Sequence, residues 1–194
     1  MAMTTRERLL DAGLEMLLQH GYNDLGIQAL LRATGTPKGS FYHHFQSKED
    51  FALQVIDRYM EEVHRGLELS LEDPGLTPLA RARRFFELSR EKYRRDGYLG
   101  CMLGGLGQEL SGVNPTFAAK IEACFSEISC RIASCLEEAR RQGEIPQQAD
   151  PRELANLLLN CWEGAALRSR LLRDPAPLDQ MLDFYFSAAT RSVG

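Results

Sequence analysis

The chain has 194 residues, 44% of them hydrophobic, which is enough to bury a substantial core in one large or two small domains. Its 23 Lys and Arg are outnumbered by 27 Asp and Glu, and this acidic balance argues against a protein whose main task is to coat nucleic acid. A polar N-terminal sequence, no long apolar run and five cysteines without CxxC spacing predict a reduced, cytoplasmic protein with no membrane span.

Two helices are predicted before residue 35. Thr4 or Thr5 can cap the first, whose apolar residues recur at helical spacing until Gly21 ends it. The second begins after Gly26, and Gln28 is expected to be exposed in its first turn.

The sequence from Leu30 to Phe51, LLRATGTPKGSFYHHFQSKEDF, has the pattern of a helix-turn-helix. Gly35 can take the left-handed conformation that ends a helix. Thr36 is predicted to cap the next helix through its hydroxyl, with Pro37 at the first helical position. Two helices with a three-residue break between them form a helix-turn-helix.

The chemistry of the second of these helices indicates contact with DNA. The stretch from Gly35 to Lys48 carries two Lys and no acidic residue. Gly39 would let the backbone approach a groove closely, whereas Phe41 and Phe45, four residues apart, can anchor the helix to a core. The alternative is a short amphipathic helix with a solvated polar face, but the agreement of turn chemistry and side-chain chemistry favours DNA.

Residues 35–45 (GTPKGSFYHHF) and 47–49 (SKE) resemble the DNA-binding signature of the TetR family of bacterial repressors, and residues 8–14 with 21–22 resemble its first helix and turn. The resemblance implies a homodimer that places two recognition helices in successive major grooves of a palindromic operator. Gly39 and Ser40 would approach bases, whereas phosphate contacts would only position the protein. Gly26 stands where the family usually has Ser or Thr, so Gln28 replaces it as a candidate. The candidate DNA contacts are Gln28, Thr36, Pro37, Lys38, Gly39, Ser40, Tyr42, His43 and Lys48.

The remaining sequence predicts a linking helix and a helical body. Ser47 can cap a long helix that ends near Ser70 and connects two domains. A helix from Pro78 to Arg95 carries a surplus of arginine, which suggests either a second nucleic-acid surface or, as we favour, a solvated face. Later helices are predicted from Thr116 to Gln142, from Pro151 to Leu172 and from Leu178 to Arg191.

The segment from Gly97 to Gly112 contains six glycines yet keeps apolar residues at helical spacing. In a ligand-controlled repressor it predicts a pliable pocket wall for an apolar or aromatic effector. Gly100 and Cys101 resemble a segment of the electrophile-sensing branch of the family, so Cys101 is either a sensor thiol or a packing residue. The other four cysteines are expected to lie in apolar stripes or mid-helix as inert thiols. The candidate pocket residues are Tyr93, Cys101, Met102, Gln108 and Trp162.

The last two helices carry more apolar surface than one buried face requires, which predicts a subunit interface. The candidate interface residues are Leu154, Leu158, Leu172, Met181, Phe184 and Tyr185.

Together these features predict an all-α protein with a three-helix DNA-binding domain at residues 1–50, a connecting helix at 51–70, and an effector-binding and dimerisation domain at 51–194. The predicted function is repression of transcription, relieved by a small apolar, aromatic or electrophilic effector. A helical interaction module without a DNA role is the alternative, and an enzyme using Cys101 would need a base that the sequence does not show. No metal motif or cofactor motif is present, so we expect neither.

Overall fold

The computed structural model describes residues 3–189, and within this range the chain forms nine α-helices and no strand, which confirms the all-α prediction. The helices are α1 (Thr5–His20), α2 (Ile27–Thr34), α3 (Lys38–His44), α4 (Lys48–Leu71), α5 (Pro78–Arg95), α6 (Met102–Leu110), α7 (Pro115–Arg141), α8 (Pro151–Leu172) and α9 (Ala176–Ala189).

Helix α1 begins with a reciprocal cap. The backbone N–H of Glu7 donates to the Thr4 hydroxyl at 3.2 Å, and the Glu7 carboxylate accepts the backbone N–H of Thr4 at 2.7 Å. These bonds lower the pKa of Glu7. Gly21 ends the helix at φ 77°, and its N–H still reaches the Leu17 carbonyl. The cap removes two unpaired donors from the helix start.

The predicted start of α3 was wrong by one residue. The helix begins at Lys38, Pro37 occupies the N-cap position, and no side chain caps it. The Thr36 side chain is buried, and its hydroxyl contacts the Thr34 carbonyl at 3.5 Å instead. Gly35, at φ 61°, ends α2 as predicted, and Thr36 completes that helix end through its N–H to Leu31. Thr36 therefore belongs to the end of α2.

The chain divides into two compact units. The first contains the residues up to Val63 together with Met102–Glu122, and the second contains His64–Cys101 together with the residues from Ala123 onward. Helices α4 and α7 each contribute to both units. The functional boundary after residue 50 stays a prediction.

The first unit is built on aromatic packing between α3 and α4. The rings of Phe41, Phe45 and Phe51 are all buried, with centroids 4.8–5.3 Å apart. Such edge and tilted ring pairs add to the stabilisation that comes from burying apolar area. Arg58 on α4 donates to Asp11 on α1 at 2.8 Å, which further ties α4 to α1.

The second unit has an aromatic core of its own. The Trp162 ring on α8 lies 5.0 Å from Phe86 and 5.6 Å from Tyr93, both on α5. Helix α9 packs against α8 and α5. The α5 arginines pair with carboxylates, since Arg83 binds Glu87 and Asp183, and Arg90 binds Asp179. These ion pairs agree with a solvated face on α5 better than with a second nucleic-acid surface.

Several predicted details need correction. Helix α9 begins at Ala176, two residues earlier than predicted, and its predicted end at Arg191 lies outside the described residues. Cys161 was expected in the apolar stripe of α8 but is exposed, and Cys130, mid-helix in α7 as expected, is exposed as well; Cys124 and Cys135 are buried. The side chains of Cys130 and Cys161 lie on the outer sides of their helices. Helical periodicity alone does not say whether neighbouring helices cover such a side chain.

Candidate nucleic-acid interface

Helix α3 is held to the first unit by one face and exposes the other. Phe41 and Phe45 are buried on the inner face, whereas Lys38, Tyr42 and His43 are exposed on the outer face. The exposed side chains offer an ammonium, a phenol and an imidazole, and α3 itself carries no carboxylate. This outer face is therefore a surface of hydrogen-bond donors without a repelling charge.

Gly39 lies on the exposed side of α3, where the packing of the chain does not require a glycine. A Cβ added at Gly39 would meet nothing within 4 Å, so the protein's own packing does not require glycine there. Glycine also costs about 1 kcal/mol relative to alanine inside a helix. Packing within the described chain therefore gives no reason for glycine at position 39.

The structure exposes most of the predicted DNA contacts. Gln28, Pro37, Lys38, Gly39, Tyr42 and His43 are exposed, and Ser40 is half-buried. Thr36 is the exception, since its side chain is buried and can offer only backbone atoms to a ligand.

Lys48, at the start of α4, is half-buried and already has protein partners. Its ammonium donates to the Asn23 carbonyl at 3.3 Å and lies 4.5 Å from the centre of the Tyr22 ring. An ammonium has three donors, so this arrangement leaves capacity for a phosphate. Lys48 thus links the start of α4 to the turn after α1.

A carboxylate that the sequence did not single out holds the same turn. Glu109, on α6, accepts the backbone N–H of Tyr22 at 2.8 Å and that of Asn23 at 2.6 Å. Glu109 lies 86 residues after Asn23, so no local sequence pattern could predict this contact. The one available signal was an acidic residue in the last turn of a glycine-rich helix.

Comparisons with known proteins agree with this geometry. Residues 9–55 match the family described as "Bacterial regulatory proteins, tetR family", and residues 78–185, more than half of the chain, match "Tetracyclin repressor-like, C-terminal domain". The chain belongs to the TetR family of transcriptional regulators. TetR-family repressors bind DNA, and family membership identifies a regulator rather than an enzyme.

Individual relatives match over most of their length. The transcriptional regulator AcuR of Cereibacter sphaeroides is 38% identical over 178 residues, covering 91% of this chain and 81% of AcuR. The HTH-type transcriptional repressor DhaR of a Mycobacterium species is 33% identical over 188 residues, covering 97% and 93%. The crystal structure of regulatory protein TetR from Rhodobacter sphaeroides has a TM-score of 0.88 at 37% identity, covering 93% of this chain and 96% of that one.

In this TetR-family chain the five candidate pocket residues belong to two different units. Tyr93 and Trp162 contact each other in the second unit, where both are buried. Met102 and Gln108 belong to the first unit, the former buried and the latter exposed. The structure therefore joins two of the five residues directly.

Cys101 has a partner that sequence reasoning missed. The half-buried thiol is hydrogen-bonded to the carboxylate of Glu163, which follows Trp162 on α8. Burial raises the pKa of Glu163 to about 7, although the hydrogen bond with Cys101 opposes this rise. The sequence signal that could have revealed this partner was Glu163 itself, a carboxyl residue among the apolar residues of α8.

The candidate interface residues fall into two groups. Phe184 and Leu172 are exposed, and Leu154 and Met181 are half-buried. Leu158 and Tyr185 are a correction, because both side chains are buried within their own chain and the Tyr185 hydroxyl donates to the Leu154 carbonyl at 2.7 Å. Leu157, Leu167 and Leu171 on α8 are exposed as well, although they were not among the predicted interface residues.

Among the residues that the structure describes, no helix combines the length and apolarity that crossing a bilayer requires. The same residues contain no group of three or more His, Cys, Asp and Glu arranged to hold a metal ion.

Proposed function

We propose that the chain is a homodimeric repressor that binds a palindromic operator through α3 and is released by a small effector. The observation that carries the DNA-binding part is the outer face of α3, which combines exposed donors with the open space at Gly39. Lys38, Tyr42, His43 and Lys48 would contact phosphates, and Gly39 with Ser40 would approach base edges.

Exposed apolar residues on the last two helices support the homodimer. Leu157, Cys161, Gly164 and Leu171 follow one another on α8 at spacings of four, three and seven residues and are all exposed, so they share one face. Phe184 on α9 is 77% exposed. A large apolar patch on a helical protein is typical of a subunit interface, and a symmetric dimer would present two copies of α3 to two half-sites.

Changes at single donors test the role of α3. The probe is a fluorescent duplex carrying the sequence that the wild-type protein selects from a random DNA library. Tyr42→Phe removes one exposed hydroxyl from each subunit of the dimer and should weaken binding about thirtyfold, since each of the two hydrogen bonds contributes about 1 kcal/mol. Wild-type affinity in this variant would remove Tyr42 from the phosphate contacts, and Gln142→Ala, an exposed change just after α7, serves as the control.

The effector is proposed to be small and apolar or aromatic. The rings of Phe86, Tyr93 and Trp162 support this choice, because they form an apolar aromatic cluster. Trp162 is the chain's one tryptophan, so its fluorescence reports directly on that cluster. An effector that releases DNA while the Trp162 emission stays unchanged would mean that the effector binds elsewhere.

A second candidate for the signal is covalent modification of Cys101, and the contact with Glu163 favours it. When the sulfur forms a bond to an electrophilic carbon, the thiol proton must leave, and the Glu163 carboxylate is positioned to accept it. Mass spectrometry after limiting N-ethylmaleimide, with exposed Cys130 and Cys161 as internal references, measures the reactivity of Cys101. A Cys101→Ser protein that electrophiles still release from DNA would end this reading.

A further inference from the structure

The turn between α1 and α2, residues Gly21–Asp24, is held on one side by a carboxylate from a distant helix. The two oxygens of Glu109 accept the backbone N–H groups of Tyr22 at 2.8 Å and Asn23 at 2.6 Å. Hydrogen bonds to a charged acceptor are shorter and stronger than neutral ones, and two of them fix orientation as well as distance. The carboxylate therefore sets the position of this turn.

Gly21 is adapted to the same carboxylate. A Cβ added at Gly21 would lie 2.6 Å from a Glu109 carboxylate oxygen, and the backbone there has φ 77°, which disfavours other residues. The Tyr22 ring also packs edge-on against Phe117 of α7, with centroids 5.0 Å apart. Burial, Glu49 and Glu109 together raise the pKa of the Tyr22 phenol.

On its other side the turn is held by Lys48, through the Asn23 carbonyl and the face of the Tyr22 ring. Tyr22 and Asn23 thus contact Glu109 through their backbone N–H groups. They contact Lys48 through the Asn23 carbonyl and the Tyr22 ring. Any shift of the turn away from Glu109 moves both groups that locate the Lys48 ammonium.

A second contact from the same region reaches the start of α4. The Asn114 side-chain amide, in the loop between α6 and α7, donates to the Glu49 carboxylate at 3.0 Å. Its carbonyl oxygen accepts the N–H groups of Thr116 and Phe117, which caps α7. Glu49, which follows Lys48, is therefore held by the loop that follows the helix carrying Glu109.

We propose that Glu109 is a positioning residue for DNA binding, which acts by fixing the Tyr22–Asn23 turn and so holding the Lys48 ammonium toward a DNA phosphate. This inference rests on the proposed phosphate contact of Lys48. Glu109 would not touch DNA, and its negative charge would on its own repel it, so its removal should strengthen binding unless the positioning role dominates.

The test measures the affinity of wild-type, Glu109→Gln, Glu109→Ala and Lys48→Ala proteins across a range of salt concentrations. Two duplexes serve as probes: the sequence that the wild-type protein selects from a random library, and a scrambled version of it. Glu15→Gln, an exposed change on α1, is the matched charge control. Circular dichroism and thermal unfolding establish that each variant is folded.

Glu109→Ala should weaken binding to both duplexes about tenfold, and Glu109→Gln should fall between it and the wild type because an amide keeps one acceptor. Losing one phosphate contact per subunit of a dimer should also flatten the salt dependence by about two units. In the Lys48→Ala background, Glu109→Ala should cost less than about twofold, because the contact that it positions is already gone.

Three results would overturn the proposal. The first is a Glu109→Ala protein with wild-type affinity and a wild-type salt slope. The second is a double variant whose loss of binding free energy equals the sum of the losses for Glu109→Ala and Lys48→Ala alone. The third is a loss of affinity with an unchanged salt slope, which would make Glu109 a structural residue only. If the wild-type protein selects no sequence, the proposed operator function fails, but the scrambled duplex still tests Glu109.

Discussion

Gly13 on α1 lies directly against Phe51 on α4. A Cβ added at Gly13 would be 2.4 Å from the Phe51 Cζ and 3.0 Å from a methyl group of Val55. Phe51 in turn packs on Phe41 of α3, so the closeness of α1 and α4 determines the space in which α3 is anchored. Glycine at position 13 is thus required by packing rather than by backbone conformation.

Gly13→Ala should destabilise the protein, although alanine is the better helix former. Overpacking a tight core contact costs about 1–3 kcal/mol, which exceeds the gain of about 1 kcal/mol in helix propensity. Urea unfolding measures the difference. An increase in the free energy of unfolding would show that Phe51 can move aside.

Gly39→Ala should have the opposite effect on stability, because nothing surrounds that position. We expect the free energy of unfolding to rise by up to about 1 kcal/mol, as helix propensity predicts. Operator affinity should fall about tenfold or more, since the added methyl would meet the DNA. A variant that is more stable and binds DNA as tightly as wild type would rule out a close approach at Gly39.

Gly13 and Gly39 show which features of the fold could be predicted from the sequence and which could not. The helix-turn-helix was predictable because Gly35, Phe41 and Phe45 act within a few residues of one another, and local turn chemistry and periodicity encode them. The role of Gly13 depends on Phe51, 38 positions away, and no local pattern records that contact. The prediction that Thr36 caps α3 was wrong for a related reason, because the Thr36 side chain is buried at the end of α2 and its hydroxyl contacts the Thr34 carbonyl there.

The pH dependence of stability should change when Glu163 is replaced by Gln. The pKa of Glu163 is about 7 in the folded chain against an ordinary value of 4.5, so the folded state binds more protons between these pH values. Wild-type stability should therefore fall as pH rises from 4.5 to 7, by an amount on the order of 2–3 kcal/mol from this group. Glu163→Gln should match wild type at pH 4 and exceed it at pH 8 in thermal unfolding. Equal stability of the two proteins at pH 8 would mean that Glu163 ionises without a burial cost.

Phe184→Glu should convert a dimer into monomers. The side chain is 77% exposed in the single chain, so a charge there is harmless to the monomer but costs several kcal/mol if a partner buries it. Val113→Glu is the control, because Val113 is 79% exposed but lies between α6 and α7. Light scattering should give half the wild-type mass for Phe184→Glu only; a variant that keeps the wild-type mass would place the interface elsewhere.

The candidate effector and dimer residues were only partly predictable, for a physical reason. Helical periodicity identifies apolar residues but does not say which of them the chain itself covers, so Leu158 and exposed Leu157 looked alike. Glu109 and Glu163 were missed because their partners, the Tyr22–Asn23 turn and Cys101, are distant in sequence. Long-range polar contacts of this kind leave no periodic signal.

The most direct test of the proposed repressor is a hydroxyl-radical footprint on the DNA that the wild-type protein selects from a random library. Two copies of α3 should protect two patches related by a dyad, with centres about 10 base pairs apart or a multiple of that spacing. Phe184→Glu should lose the paired protection together with its dimeric mass. A selection that enriches no sequence, or a footprint with a single unpaired patch, would contradict binding of a palindromic operator by a homodimer.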